Sequence, residues 1–150
     1  MKNRGADAES DGIHARVFVA RPFDKPGQKI FDEIIAPSLA AVSLKPVHGP
    51  SCHYDNVVER VSAAIAECGA VLAVLIGQNR NVFIETGIAI ALHKPLLLLA
   101  DTPEDCGMLH GSFPVVLTKD LAAFRRALKD VASQITLLKP SFHAVLSPCS

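Results

Sequence analysis

The sequence predicts a doubly wound α/β domain: five mostly parallel strands in the order 2-1-3-4-5, with helices on both faces. Short apolar runs, RVFVA, AVLAVLI and LLLLA, read as strands buried on both sides, as strands of parallel sheets are. The segments between them carry apolar residues at helical spacing. Strand and helix alternate about five times, the pattern of right-handed crossovers within one sheet.

Met1 to Gly12 is polar and loose, and is expected to form a flexible leader without a signal peptide. RVFVA (Arg16 to Ala20) is the first strand, and RPFDKPG breaks it with two prolines and a glycine. From Gln28 to Val42, residues Ile30, Phe31, Ile34, Ile35, Leu39 and Val42 mark a helix that Pro37 should kink or divide. KPV near Lys45 is a weak second strand, and HGPSCHYD is a loop. Asp55 or Asn56 caps the next helix, with Val57, Val58, Val61, Ala64 and Ile65 inward and Glu59, Arg60 and Glu67 outward. Gly69 ends it.

AVLAVLI (Ala70 to Ile76) is the strongest strand and is expected at the centre. The helix after it is capped by Asn81 and stopped by Lys94-Pro95, and LLLLA (Leu96 to Ala100) is a second central strand. FPVVLT belongs at an edge, because Pro114 lacks an N–H for the ladder. Leu121, Phe124, Leu128, Val131 and Ile135 mark a final amphipathic helix. The expected organisation is a leader over 1–12, one domain over 13–138 and a tail over 139–150.

A chain of 150 residues suits a single domain with one core. Its 49% hydrophobic content and mean hydropathy of +0.29 suggest that a second copy covers part of the surface, so a homo-oligomer is expected. Lys and Arg (15) balance Asp and Glu (15), which gives no long-range field to draw nucleic acid or anionic membrane. No apolar run approaches the roughly 18 residues of a membrane span. The four cysteines, Cys52, Cys68, Cys106 and Cys149, form no CxxC pair and the histidines no HxxxH. No metal site is expected, and reduced thiols in a cytoplasmic protein are the simplest account.

In sheets of this order, ligands bind at the carboxyl ends of the strands, near the switch point between the first and third. The loops that matter are therefore Arg21 to Gly27, His48 to Asp55, Gly77 to Asn81 and Asp101 to Cys106. One carboxylate stands out there. Glu85 is the only formal charge between Arg80 and His93, among Val82, Ile88, Ala89 and Leu92. A helix apolar on every face is a buried one, and a buried carboxylate is unfavourable unless it is paired or used. Gly87 suggests a close approach to the helix backbone, since glycine inside a helix costs about 1 kcal/mol relative to alanine. The plainer alternative places Glu85 only to complement the helix dipole.

These residues carry a resemblance. NRNVFIETGIAIALHKPLLLLA, with VFVARPFD near the start, resembles the superfamily of nucleoside 2-deoxyribosyltransferases, deoxynucleotide N-hydrolases and TIR-like nucleotide-binding domains. The matching positions are Asn79, Asn81, Val82, Phe83, Glu85, Gly87, Ala89, Ala91, Lys94 and Pro95, and the likeness covers roughly Val17 to Ala100. It implies a flavodoxin-like three-layer sandwich, cleavage of an N-glycosidic bond, and Glu85 at the anomeric carbon as the catalytic carboxylate. Such a bond breaks through an oxocarbenium-like transition state, which a carboxylate in a dry cleft stabilises. It also implies NAD+ or a related nucleotide as substrate, with no separate cofactor.

Arg21, Phe23 and Asp24 after the first strand, Tyr54 in the HGPSCHYD loop, Gly77, Asn79 and Asn81 after the third strand, and Asp101 after the fourth are the candidate substrate-binding residues. The chain also departs from the pattern. Many relatives carry Asp-Leu-Thr (or Ser) just before the glycine matching Gly77, where this chain has Val74, Leu75 and Ile76. In the transferases an aspartate in this region protonates the departing base. A purine leaves poorly without such an acid, whereas the cationic nicotinamide of NAD+ departs neutral. NAD+ is therefore the favoured substrate, unless Asp24 or Asp101 replaces the lost acid. Deoxyribosyl transfer or deoxynucleotide hydrolysis is the alternative enzyme, and a nucleotide-binding or self-assembling signalling module without turnover is the alternative of another class.

Overall fold

The computed structural model describes residues 15–50 and 56–137. Five strands form one parallel sheet in the order β2-β1-β3-β4-β5. They are β1 (Arg16–Ala20), β2 (Lys45–Val47), β3 (Ala70–Val74), β4 (Leu96–Ala100) and β5 (Val115–Leu117). Every pairing is parallel, and β5 lies at an edge. The helices are α1 (Lys25–Ile30), α2 (Ala36–Ala41), α3 (Val57–Ala66), α4 (Arg80–Ala91) and α5 (Leu121–Leu137). The chain has the α/β three-layer fold of flavodoxin type.

Strand alternation divides the core into two layers. Val17, Val19, Leu72, Val74, Leu97 and Leu99 face Ile35, Leu39, Phe124 and Leu128 on the α1–α2–α5 side. Their neighbours Phe18, Ala20, Val71, Ala73, Leu96 and Leu98 face Val61, Ile65, Val82 and Ala89 of α3 and α4. Because successive strand side chains point to opposite faces, an apolar run with no polar interruption is what a sheet covered on both sides requires. Among the described residues no helix is long and apolar enough to cross a membrane.

Several sequence expectations are corrected. The first helical segment begins at Lys25, earlier than Gln28, because Asp24 caps it by accepting from the Gly27 N–H at 2.8 Å. Pro37 divides this segment through a π-helical turn, Phe31–Ile35, in which the Ala36 N–H reaches the Phe31 carbonyl. The wider turn moves carbonyls away from the proline ring, which would collide with a regular α ladder. Asn56 holds the N-cap position of α3 in a left-handed conformation without a side-chain cap bond, and Asp55 lies outside the described residues. Val58 is 61% exposed and Leu121 37% exposed, so neither faces the core.

The largest correction concerns α4. Its cap is Asn79, whose Oδ1 accepts from the N–H groups of Asn81 (3.0 Å) and Val82 (3.3 Å). Only Val82, Thr86 and Ala89 are buried, while Ile84 and Leu92 are exposed. An apolar sequence on every face therefore does not mean burial on every face here. Gly87 is also exposed, and a Cβ built there would meet nothing within 4 Å, so among the described residues no backbone or side chain presses on it.

Candidate functional site

A cavity of about 380 Å³ opens at the carboxyl ends of β1, β2 and β3, lined by residues that follow each strand and by α3 and α4. Arg21 and Phe23 come from the loop after β1, Pro50 from the loop after β2, and Asn79 and Asn81 from the loop after β3 and the start of α4. Val57, Val58 and Val61 of α3 and Ile84, Glu85 and Ile88 of α4 complete the wall. The strand-end crevice at the β1/β3 switch point is thus where the cavity lies.

Glu85 sits in the second turn of α4, and its side chain leans back toward the strand ends as helical side chains do. Its carboxylate lies against the loop after β2. A Cβ added to Gly49 would come within 3.2 Å of Oε1 and 3.4 Å of the Phe18 ring. A side chain at this position would press on the acid, which would have to give by a few tenths of an ångström. Burial pushes the Glu85 pKa up to about 7 from the usual carboxylate range, with no cation among the described residues holding it down. The site therefore holds a carboxyl group that titrates near neutrality, as catalytic carboxyls often do.

Arg21 continues β1 with the strand parity of Val17 and Val19, which directs it toward α1. It is only 7% exposed. Nη1 donates to the Pro22 carbonyl at 3.2 Å and Nη2 to Gln28 Oε1 at 2.9 Å. Its guanidinium lies over the Phe23 ring (5.1 Å) and the Phe31 ring (4.8 Å). Gln28 is itself held by donating to Asp32 Oδ1 at 2.9 Å. The loop is locked onto α1 at Gly27, where a Cβ would meet the Pro22 carbonyl oxygen at 2.1 Å. Behind Arg21, the His48 ring packs edge-on against Phe31. Burial and the Arg21 charge both lower the His48 pKa, so its imidazole is neutral at pH 7.

The structure brings together Glu85, Arg21, Phe23, Asn79 and Asn81 of the sequence candidates. Asp24, Gly77 and Asp101 do not line the cavity. Asp24 caps α1, Gly77 lies exposed in the turn after β3, and Asp101 accepts from the Thr118 hydroxyl at 2.5 Å. Tyr54 lies outside the described residues. Gln28 lies outside the loops singled out in the sequence, whereas Gly49 falls within His48 to Asp55, where the Gly-Pro pair signals a tight turn, and Ile88 reads only as an apolar neighbour of Glu85.

Lys94, a resemblance position, has a structural task. Its Nζ donates to the Ala66 and Cys68 carbonyls, both at 2.9 Å, and so closes the end of α3. The buried thiols Cys68 and Cys106 are both pushed above their usual pKa, chiefly by burial, Cys68 to about 11, which keeps them protonated and unreactive.

No protein-family profile matches the chain, and no curated protein matches it at a significant level. Function therefore rests on the chemistry of the cavity.

Proposed function

We propose that the chain is a TIR-like N-glycosidase that cleaves the bond between ribose and nicotinamide in NAD+ or a related nucleotide, with Glu85 as the central carboxylate. The observation that carries this is the position of Glu85: the one carboxylate among the described residues that line the cavity, desolvated, at the strand-end crevice. In the proposed reaction the C1′–N bond breaks and its electron pair passes to the ring nitrogen, converting the pyridinium to neutral nicotinamide. Positive charge then develops at C1′ and the ring oxygen, where ionised Glu85 stabilises it. Water adds to C1′ and loses a proton.

The absence of Asp24 and Asp101 from the cavity wall supports a leaving group that needs no acid. Incubation with NAD+ and chromatographic detection of nicotinamide tests the proposal. Wild-type turnover by Glu85→Gln would remove the mechanism. Deoxynucleotide hydrolysis or deoxyribosyl transfer draws support from the same elevated pKa, since protonated Glu85 is an acid able to assist a purine. One carboxyl would then have to donate a proton and stabilise a cation at once. Release of free base from a deoxynucleoside monophosphate panel, without nicotinamide release from NAD+, would favour that reading.

A further inference from the structure

Among the described residues the cavity wall holds two formal charges of opposite sign, Arg21 and Glu85, with no hydrogen bond between them. The hydrogen bonds of Arg21 go to Pro22 and Gln28, not to Glu85, and burial is the cause of the raised Glu85 pKa. Arg21 is in turn without a carboxylate contact among the described residues. Asp32 reaches it only as a distant charge, with Gln28 between them. The hydrogen bonds that hold Arg21 go to two neutral oxygens, leaving most of its five N–H donors unused, including a buried Nε without any partner. Its neighbours fix the direction of the guanidinium, and the Phe23 and Phe31 ring faces offset part of its charge, but no anion touches it among the described residues. A buried cation in that state is unfavourable until an anion arrives.

The start of α4 does not compete for that anion, because the Asn79 side chain already occupies the Asn81 and Val82 N–H groups. The remaining lining is apolar apart from the two amides. A volume of about 380 Å³ lies at the small end of ligand sites, which span roughly 300–1,000 Å³, and suits one nucleotide unit.

We infer that Arg21 is the anion seat of the cavity and that the bound unit is a nicotinamide mononucleotide, its phosphate at Arg21 and its cationic end at Glu85. This rests on the glycosidase proposal and narrows it. A neutral-base nucleotide answers only Arg21, a nicotinamide riboside only Glu85, and the mononucleotide both. In a dinucleotide, whatever follows the first phosphate lies outside the cavity.

Calorimetry with carbocyclic analogues of nicotinamide mononucleotide and nicotinamide riboside tests the assignment on the wild-type chain. Both analogues lack the sugar ring oxygen, form no oxocarbenium ion and survive the titration. The monophosphate is expected to bind roughly tenfold to hundredfold tighter than the riboside, the range of a charge-assisted hydrogen bond. Arg21→Gln is expected to bring the monophosphate down to the riboside's affinity and leave the riboside unchanged. If that variant fails to fold, Gln28→Ala, which removes an exposed tether of Nη2, should narrow the gap from the same side. Equal wild-type affinities, or no saturable binding of the monophosphate, overturn the assignment. Discriminating binding without nicotinamide release from the natural nucleotides leaves the anion seat standing and removes the glycosidase.

Discussion

Glu85 and Arg21 show how much a side chain's meaning depends on what covers it. Glu85 titrates near 7 because Gly49, Phe18 and the α3 side chains take water away, and no cation among the described residues replaces it. If the ionised form stabilises the oxocarbenium ion, kcat/KM for nicotinamide release should rise with pH through about 7 and level off above it. A general-acid role would give the opposite slope. A bound pyridinium favours the carboxylate, so the kcat profile should lie at lower pH than that of kcat/KM. The same shift governs stability. A folded-state pKa above the unfolded value means that stability is greatest below about pH 4.5 and falls until about pH 7. Glu85→Gln should therefore leave urea unfolding at pH 4 nearly unchanged. At pH 8 it should stabilise the chain by about 2 kcal/mol, a figure reduced for the acid's partial exposure. A variant that loses activity while gaining stability at high pH would mark Glu85 as a residue kept for chemistry.

At the scale of elements, α4 carries the site and its start sets the geometry. Asn79, six positions before Glu85, closes the first turn with two bonds to backbone N–H groups. Without ligand, Asn79→Ala should lower stability by about 1 kcal/mol, measured as a shift in the urea midpoint. No shift would mean that the cap contributes nothing and that Asn79 serves the cavity alone. The strands β1 and β4 were legible to the residue, because uniformly apolar, β-branched or leucine runs have one home in an α/β sheet. Helix termini were not. Asn79 and Asn81 are equally good capping residues, and only the path of the chain out of β3 decides between them. Likewise, the apolar faces of α4 look alike in sequence, yet Ile84 and Ile88 turn to the cavity while Val82 and Ala89 turn to the sheet.

For the whole molecule, stability comes from two apolar layers separated by one sheet, and its centre is β3. Leu72 is 1% exposed on that strand, whereas Val116 is 7% exposed on the edge strand β5. Leu72→Ala should cost about 2–5 kcal/mol, as large-to-small changes in packed cores do, and Val116→Ala clearly less. Denaturant titration of both variants measures the difference. Such a core also leaves the strand ends free to build a site, because loops at one edge of the sheet carry little of the packing. Gly27 and Gly49 fit two of those loops tightly around Arg21 and Glu85.

By itself the sequence determined the order of strands and helices, the parallel sheet and the oddity of Glu85, since alternation and hydrophobic period are local properties. It also pointed to Arg21, though not to its burial. Tertiary structure alone decided that Arg21 and Glu85 enter one cavity from opposite faces of the sheet, that Asp24 and Asp101 stay out of its wall, and that a side chain at Gly87 would meet no described residue. Those outcomes depend on which loop lies over which helix end. The distances involved join residues tens of positions apart, and no local pattern encodes them.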